Sequence, residues 1–380
     1  MPSAPIASSQ DLLAELSDWV KIETPTRNAA QVNRLVDLAA RQLAAAGATV
    51  ERIPGRDGFG DNLAVRASAQ AVDPSARPIL FAGHLDTVWP VGTIDAMPFR
   101  IDGDRAHGPG ILDMKAGSFA AFYALRSILT GKIRTKAPIV LLLTPDEEVG
   151  SPTSQALIET EAALAQAAII PEPAWHDGRC VTARKGVGIF DVEIQGVNSH
   201  AGSAFADGAS AVLELARQIV RLNELVDLDA DVTVNVAPVS GGYTTNVIAD
   251  RANAGVDLRV PDAAAGERAV DAILGLKPFD PRCKVAVTGG MNRPAWAETP
   301  ESLALYDRVR AMAAATGLSI TKMHRGGGSD GNFTAALGIP TIDGLGCAGT
   351  GAHAPHEHIL WRELDSRVAL MATIMEELGA

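Results

Sequence analysis

Residues 138–151 read PIVLLLTPDEEVGS. From Ile139 to Leu143 every side chain is apolar, with none of the alternation expected of a strand that has one wet face. A strand of that kind is covered on both sides, as in a parallel sheet sandwiched by helices. The run then ends in the adjacent acids Glu147 and Glu148, with no basic residue nearby to offset them. The same grammar recurs. PILFAG (78–83) runs into His84, and AAIIP (167–171) into Glu172, while NLAVRA (62–67) supplies a further short run. SFAAFYALRSILTGK (118–132) reads as a helix between two of these strands. Strands alternating with helices predict an α/β fold with a mixed, largely parallel sheet flanked by helices.

Working outward, two amphipathic helices open the chain. Leu12, Leu13, Leu16, Trp19 and Val20 mark the first, and Val32, Leu35, Val36, Ala39 and Leu43 the second, which stops near Gly47. Near Lys185 the pattern changes. GIFDVEIQG (188–196) alternates like a half-exposed strand, and a helix over 209–225 follows. Two strands (232–242 and 254–260), a helix (266–276) and a strand (283–289) complete the order β-α-β-β-α-β, a ferredoxin-like unit. From Pro294 the helix–strand rhythm returns, through 301–317, 319–325, 339–346 and a closing helix over 367–379. The chain therefore reads as a first domain in two segments, 1–184 and 294–380, with an α+β domain inserted at 185–293. A length of 380 residues accommodates two cores.

Composition narrows the function. A formal net charge of −12 argues against nucleic-acid and anionic-membrane partners. No stretch is long and apolar enough to span a bilayer. MPSAPIASSQDLLAEL lacks the basic and apolar regions of an export signal, so a cytoplasmic location is expected. Cys180, Cys283 and Cys347 are odd in number and far apart, which suits reduced, buried thiols.

The chemistry gathers where strands end. In open α/β sheets, ligands collect beyond the carboxyl ends of the strands. His84, the Glu147-Glu148 pair, Glu172 and His353 all fall there, and Asp113 follows in the glycine-rich GPGILD (108–113). Any one alone would read as a cap or loop residue; their coincidence carries the argument. Three carboxylates and two imidazoles suit two zinc ions that share one carboxylate. Asp113 is the natural bridge, because flanking glycines let backbone fold close to the metals. Asp86, two residues after His84, is placed to accept the other ring N–H. Of the adjacent glutamates, one can ligate while its neighbour faces a water and handles protons. A rival must be weighed. GGSDG (327–331) matches GxSxG between a predicted strand and helix, and Asp343 and His353 follow in a serine hydrolase's order. Ser329, however, lies near the C-terminus with little chain left to complete a sheet, and that reading leaves the upstream acids unexplained.

These motifs, GHLDTV (83–88), GPGILDMKAG (108–117), TPDEEVGS (144–151), PEP (171–173), NSHAG (198–202), TTNVIADRANAGVDLRV (244–260), GGGSDG (326–331) and GAHAPHE (351–357), resemble the zinc metallopeptidase family of glutamate carboxypeptidase, acetylornithine deacetylase, succinyl-diaminopimelate desuccinylase and aminoacylase. The likeness covers nearly the whole chain. HGPGILD, SHAG and NRPAW (292–296) are most similar in wording to the bacterial folate-cleaving glutamate carboxypeptidases. The resemblance implies a zinc-exopeptidase-like fold whose inserted domain is a lid and dimer interface, with two Zn²⁺ per subunit. It implies His84 and Glu172 on one zinc, Glu148 and His353 on the other, and Asp113 between them. Glu147 becomes the general base and then acid, and Asp86 supports His84. His200 corresponds to the histidine that polarises the scissile carbonyl, reaching in from a partner subunit. Asn246, Arg259, Arg293, Gly327 and Gly328 match substrate-contacting positions. For Arg259 a plain pairing with a neighbouring acid competes. The family's single C-terminal histidine becomes three here, His353, His356 and His358; His353 takes the ligand position. The implied activity is cleavage, by a metal-held hydroxide, of an amide bond beside an amino acid with a free α-carboxylate. Glutamate carboxypeptidase and N-acyl-amino-acid deacylase are the two versions of that activity, acting on a small peptide or N-acyl amino acid.

Overall fold

The computed structural model describes residues 6–67 and 76–379. Residues 1–5 of the stretch read for an export signal lie outside them. The chain divides into two compact units. One comprises Met1–Ala183, Glu298–His324 and Ser329–Ala380; the other comprises Arg184–Ala297 and Arg325–Gly328.

The larger unit is built on an eight-stranded sheet. At its centre the strand Ile79–His84 lies between Ile139–Thr144 and Ala167–Ile170, parallel to both, and Thr341–Asp343 pairs parallel with Ala167–Ile170. Every residue of Ile79–His84 and Ile139–Thr144 is buried, which is the reason neither alternates. Outside this parallel core the pairing is antiparallel: Thr49–Ile53 on Asn62–Ala67, Asn62–Ala67 on Ile139–Thr144, and Thr341–Asp343 on Cys180–Arg184. The sheet is thus mixed, with the parallel strands where the buried apolar runs are.

Helices cover it as their periodicity requires. Ser9–Lys21 buries Leu12, Leu13, Leu16, Trp19 and Val20, and Ala29–Ala45 buries Val32, Leu35, Val36, Ala39 and Leu43. Ser8 and Asn28 cap their starts by accepting from Asp11 N and Gln31 N. Ala116–Leu129 is buried on nearly all sides, and Trp19 stacks edge-on against its Phe119 and Phe122 at 5.5 and 5.0 Å. Such a helix shows little amphipathic pattern because it has little wet face. Besides the strands Thr49–Ile53 and Cys180–Arg184, two larger features have no counterpart in the sequence reading. Gln155–Leu164 is a helix, and a separate four-stranded sheet joins Gly349–Thr350, His358–Leu360, Arg105–His107 and Arg100–Asp102 in that order. Its strands are two or three residues long, too short to show a period.

The smaller unit has the order strand Gly186–Gln195, helix Ala211–Asn223, strands Thr233–Gly241 and Arg251–Val260, helix Ala263–Leu274 and strand Lys284–Arg293. Gly186–Gln195 pairs antiparallel with both Arg251–Val260 and Lys284–Arg293, and Thr233–Gly241 forms the far edge. This is the ferredoxin-like arrangement. Phe190, Val192, Ile194, Val256, Leu258 and Leu215 form its own core.

Candidate metal centre

His84 is the last residue of its strand and only 1% exposed. Its Nδ1 donates to the main-chain oxygen of Asp86 at 2.9 Å, which leaves Nε2 as the nitrogen that faces the cluster; against its burial, hydrogen bonds to Asp113 and Asp86 raise the ring's proton affinity well above the ordinary imidazole range in the metal-free site. Nε2 is 3.3 Å from Asp113 Oδ1 and 3.8 Å from Glu172 Oε1. Asp113 turns its second oxygen the other way: Oδ2 is 3.4 Å from His353 Nε2, which in turn lies 3.1 Å from Glu148 Oε2. Two groups of possible ligand atoms result, His84–Asp113–Glu172 and Asp113–Glu148–His353, each with its atoms within 4.8 Å of one another. Asp113 belongs to both, one oxygen to each. Among the described residues no other group of three such side chains is assembled.

The donor set fits divalent cations. Three carboxylates crowd two imidazoles, and the buried Oε1 of Glu148 has no hydrogen-bond partner. The proton affinities record the crowding. Burial, reinforced by the Asp113 charge, pushes Glu172 well above the usual carboxylate range. Burial also raises Glu148, against the hydrogen bond from His353. Hydrogen bonds to Asp113 and Glu148, helped by their charges, pull His353 up to about 10 against its partial burial. For Asp113 burial opposes ionisation, yet His353 and His84 hold its carboxyl below the ordinary range. Such a cluster holds protons where metal ions would otherwise supply the positive charge.

Asp86 departs from expectation. Its backbone carbonyl, not its carboxylate, takes the close contact with the His84 ring; the carboxylate stands 3.4 Å away. The carboxylate instead grips the acid turn, accepting from Glu147 N at 3.1 Å, Glu148 N at 3.3 Å and the Thr26 hydroxyl at 2.7 Å. Fully buried, Asp86 fixes the direction in which both glutamates leave the backbone.

Glu357 was not read as a site residue, and it holds the bridge in place. Its Oε1 accepts from Leu112 N at 2.8 Å and Asp113 N at 3.2 Å; its Oε2 accepts from Gly110 N at 3.0 Å and Trp89 Nε1 at 2.8 Å. Burial still carries its carboxyl up to about 7. Lys115 is also fully buried, donates to Ile22 O at 2.7 Å, and is pushed down to about 7 by burial. The one available signal was a charged residue on each side of apolar or histidine-rich sequence, and that signal is too common to single them out.

The serine reading is overturned. Ser329 is 0% exposed, its hydroxyl donates to Asp343 Oδ2 at 2.6 Å, and it accepts from Gly331 N at 3.1 Å. His353 faces Asp113 and Glu148 instead. A nucleophile needs an accessible oxygen beside an imidazole, and Ser329 has neither. His358 is likewise turned away from the cluster, its Nδ1 donating to His356 O at 2.9 Å.

In the smaller unit His200 is exposed on the short strand Ser199–His200, paired with Val247–Ile248. Its Nδ1 accepts from Gly202 N at 3.1 Å and Ser203 N at 3.0 Å. Two backbone donors on Nδ1 leave the proton on Nε2, so the ring presents a donor outward. Asn246 accepts from Ala201 N through its backbone oxygen at 2.9 Å and from the Thr244 hydroxyl through its side chain at 3.0 Å. Arg259 forms a two-pronged pair with Asp257, both contacts 2.7 Å, as the competing reading supposed. Arg293 is buried, and a Cβ at Gly328 would meet its Cδ at 2.5 Å. The Gly327 carbonyl accepts from Arg184 at 2.8 Å.

A model of peptidase family M20/M25/M40 matches residues 80–377. Carboxypeptidase G2 of Pseudomonas sp. (strain RS-16) is 29% identical over 97% of this chain and 89% of its own. Acetylornithine deacetylase of Myxococcus xanthus is 34% identical over 56% of this chain and 58% of its own. Among solved structures, aminopeptidase PepT from Bacillus cereus ATCC 10987 superimposes with a TM-score of 0.77 at 23% identity, over 98% of this chain and 99% of that one. With residues 80–377 of 380 inside one family's pattern, the chain belongs to peptidase family M20/M25/M40 and is a hydrolase of the metallopeptidase kind.

Proposed function

We propose that this protein is a two-zinc exopeptidase that cleaves an amide bond next to an amino acid bearing a free α-carboxylate, in the manner of a glutamate carboxypeptidase. The observation that carries the reading is Asp113, whose two oxygens serve two separate His/Glu groups. His84 and Glu172 would hold one cation, Glu148 and His353 the other. When bound, such a pair acidifies a water and polarises a carbonyl. Glu147, its backbone fixed by Asp86, takes the proton from that water and returns it to the departing amine. His200 of the partner subunit donates Nε2–H to the developing oxyanion, an interaction worth about 3 kcal/mol in comparable sites. Asn246 and Arg259 receive the α-carboxylate, Arg259 with the guanidinium nitrogen that Asp257 leaves over, and Arg293, Gly327 and Gly328 shape the side-chain pocket. The smaller unit acts as lid and homodimer interface. No helix among the described residues is long and apolar enough to cross a membrane, and a cytoplasmic enzyme acting on small peptides fits the acidic chain.

N-acyl-amino-acid deacylation is the second reading, favoured by the 34% identity to the acetylornithine deacetylase. A panel of N-acyl amino acids set against peptides ending in glutamate separates the two by kcat/KM. Replacing Glu147 by Ala should abolish turnover while two equivalents of metal remain bound. Turnover retained, or metal lost with it, would remove Glu147 from the proton-transfer role.

A further inference from the structure

The small four-stranded sheet carries a second group of imidazoles. His107 and His358 are cross-strand partners, and Arg100 is the next residue in the same row. Their side chains leave one face of the ribbon; Glu357, one residue earlier, leaves the other and binds the Asp113 loop. On the histidine face lies a cavity of about 360 Å³ lined by His107, His358, His356, His176, Arg105 and Thr350 among others. His107 and His358 are each 7% exposed and form its floor, while His356 and His176 are exposed at its mouth.

Hydrogen bonding leaves this floor incomplete. Both ring nitrogens of His107 are buried without a hydrogen-bond partner of good geometry, although the Glu357 backbone is close enough to favour the ring's proton slightly. Buried imidazoles normally find partners, because desolvating an unpaired polar nitrogen is costly. His358 spends its Nδ1 proton on the His356 carbonyl, so its Nε2 can only present a lone pair. The two ring centres are 5.1 Å apart. Two imidazoles that share a tetrahedral zinc, each nitrogen at about 2.1 Å, have centres roughly 5 Å apart. Burial together with the Arg100 charge also keeps His107 neutral, the form that ligates. The His358 N–H is already committed, so an anion would have to rely on the Arg105 guanidinium of the lining and not on the imidazole floor.

We propose that His107 and His358 form a peripheral transition-metal site that takes zinc or nickel(II) between the two rings, with water completing the coordination. Imidazole nitrogen selects borderline metals of this kind over magnesium or calcium. The ribbon separates the site from the centre around Asp113, and the proposal does not depend on the reaction catalysed there.

The test compares zinc uptake by the full-length protein with that of His107→Gln, His358→Gln and the double variant, using equilibrium dialysis and elemental analysis. Wild type should take up one equivalent more than the double variant at the same free zinc, with that step weakened at least ~100-fold when both rings are gone. Arg105→Ala should strengthen it, since a neighbouring cation is removed. Should the variants misfold, the wild type alone decides: saturating zinc should shift the side-chain 15N resonances of His107 and His358, rings that solvent barely reaches. Equal uptake by a folded double variant, no shift of either ring in the wild type, or inorganic phosphate binding that Arg105→Ala weakens would each overturn the proposal, the last by assigning the cavity to an anion.

Discussion

Asp86 offers the sharpest test of how the centre is held together. Its buried carboxylate satisfies three donors, the Thr26 hydroxyl and the backbone N–H groups of Glu147 and Glu148. Replacing it with Ala strands the two backbone donors in a partly buried turn and leaves the Thr26 hydroxyl only its long 3.4 Å contact with Thr87 O. Each orphaned donor costs about 1 kcal/mol or somewhat more, so the loss should be about 2–3 kcal/mol. Asp86→Asn can keep Glu147 N on its oxygen and let Thr26 reverse its hydroxyl, which leaves only Glu148 N facing an amide; about 1 kcal/mol follows. Both variants also remove the negative charge 3.4 Å from the His84 ring, and support of that kind commonly changes metal affinity by about 10–100-fold. Urea unfolding of the metal-free protein isolates the stability effect, and competition with a chelator reads the affinity. A graded loss, Ala worse than Asn, is expected in both assays. If Asp86→Ala unfolds at the same urea concentration as the parent and binds metal equally well, the three hydrogen bonds do not position the acid turn, and the argument fails.

Glu357→Gln should lose two of the four donors on that side chain, loosening the loop around Asp113. About 10-fold weaker metal binding with kcat preserved at saturating metal is expected, and metal affinity equal to the parent's would count against the clamp. Metal uptake should release protons, because His353 in the metal-free site titrates at about 10 and is protonated at neutral pH. Since the folded site's proton must leave, affinity rises with pH and falls roughly 10-fold per unit on acidification for each proton released; calorimetry in two buffers of different ionisation enthalpy measures the number, and zero would refute the account. Ser329→Ala should cost about 1–2 kcal/mol through its bonds to Asp343 and Gly331 while leaving turnover intact, whereas inactivation of the parent by a serine-directed phosphonate would revive the discarded nucleophile.

Much of this protein is written locally. Unbroken apolar runs such as 139–143 mark strands covered on both faces, and the spacing of Leu12, Leu16 and Trp19 marks a helix stripe, because burial imposes a period on neighbouring residues. Acids and imidazoles directly after such runs mark a functional rim, since strand ends of an α/β sheet face one side. Tertiary structure alone decided which groups meet. Glu357 reaches Leu112 across 245 positions, and its partners are backbone N–H groups, which every residue but proline carries and no motif can flag. The same holds for Asp86, whose carboxylate turned out to grip Glu147 and Glu148 while its backbone took the His84 ring, and for Ser329, whose GxSxG setting gave no hint of its burial against Asp343. Residue type and spacing report what a side chain can do; hydrogen-bond partners far away in the chain determine what it does.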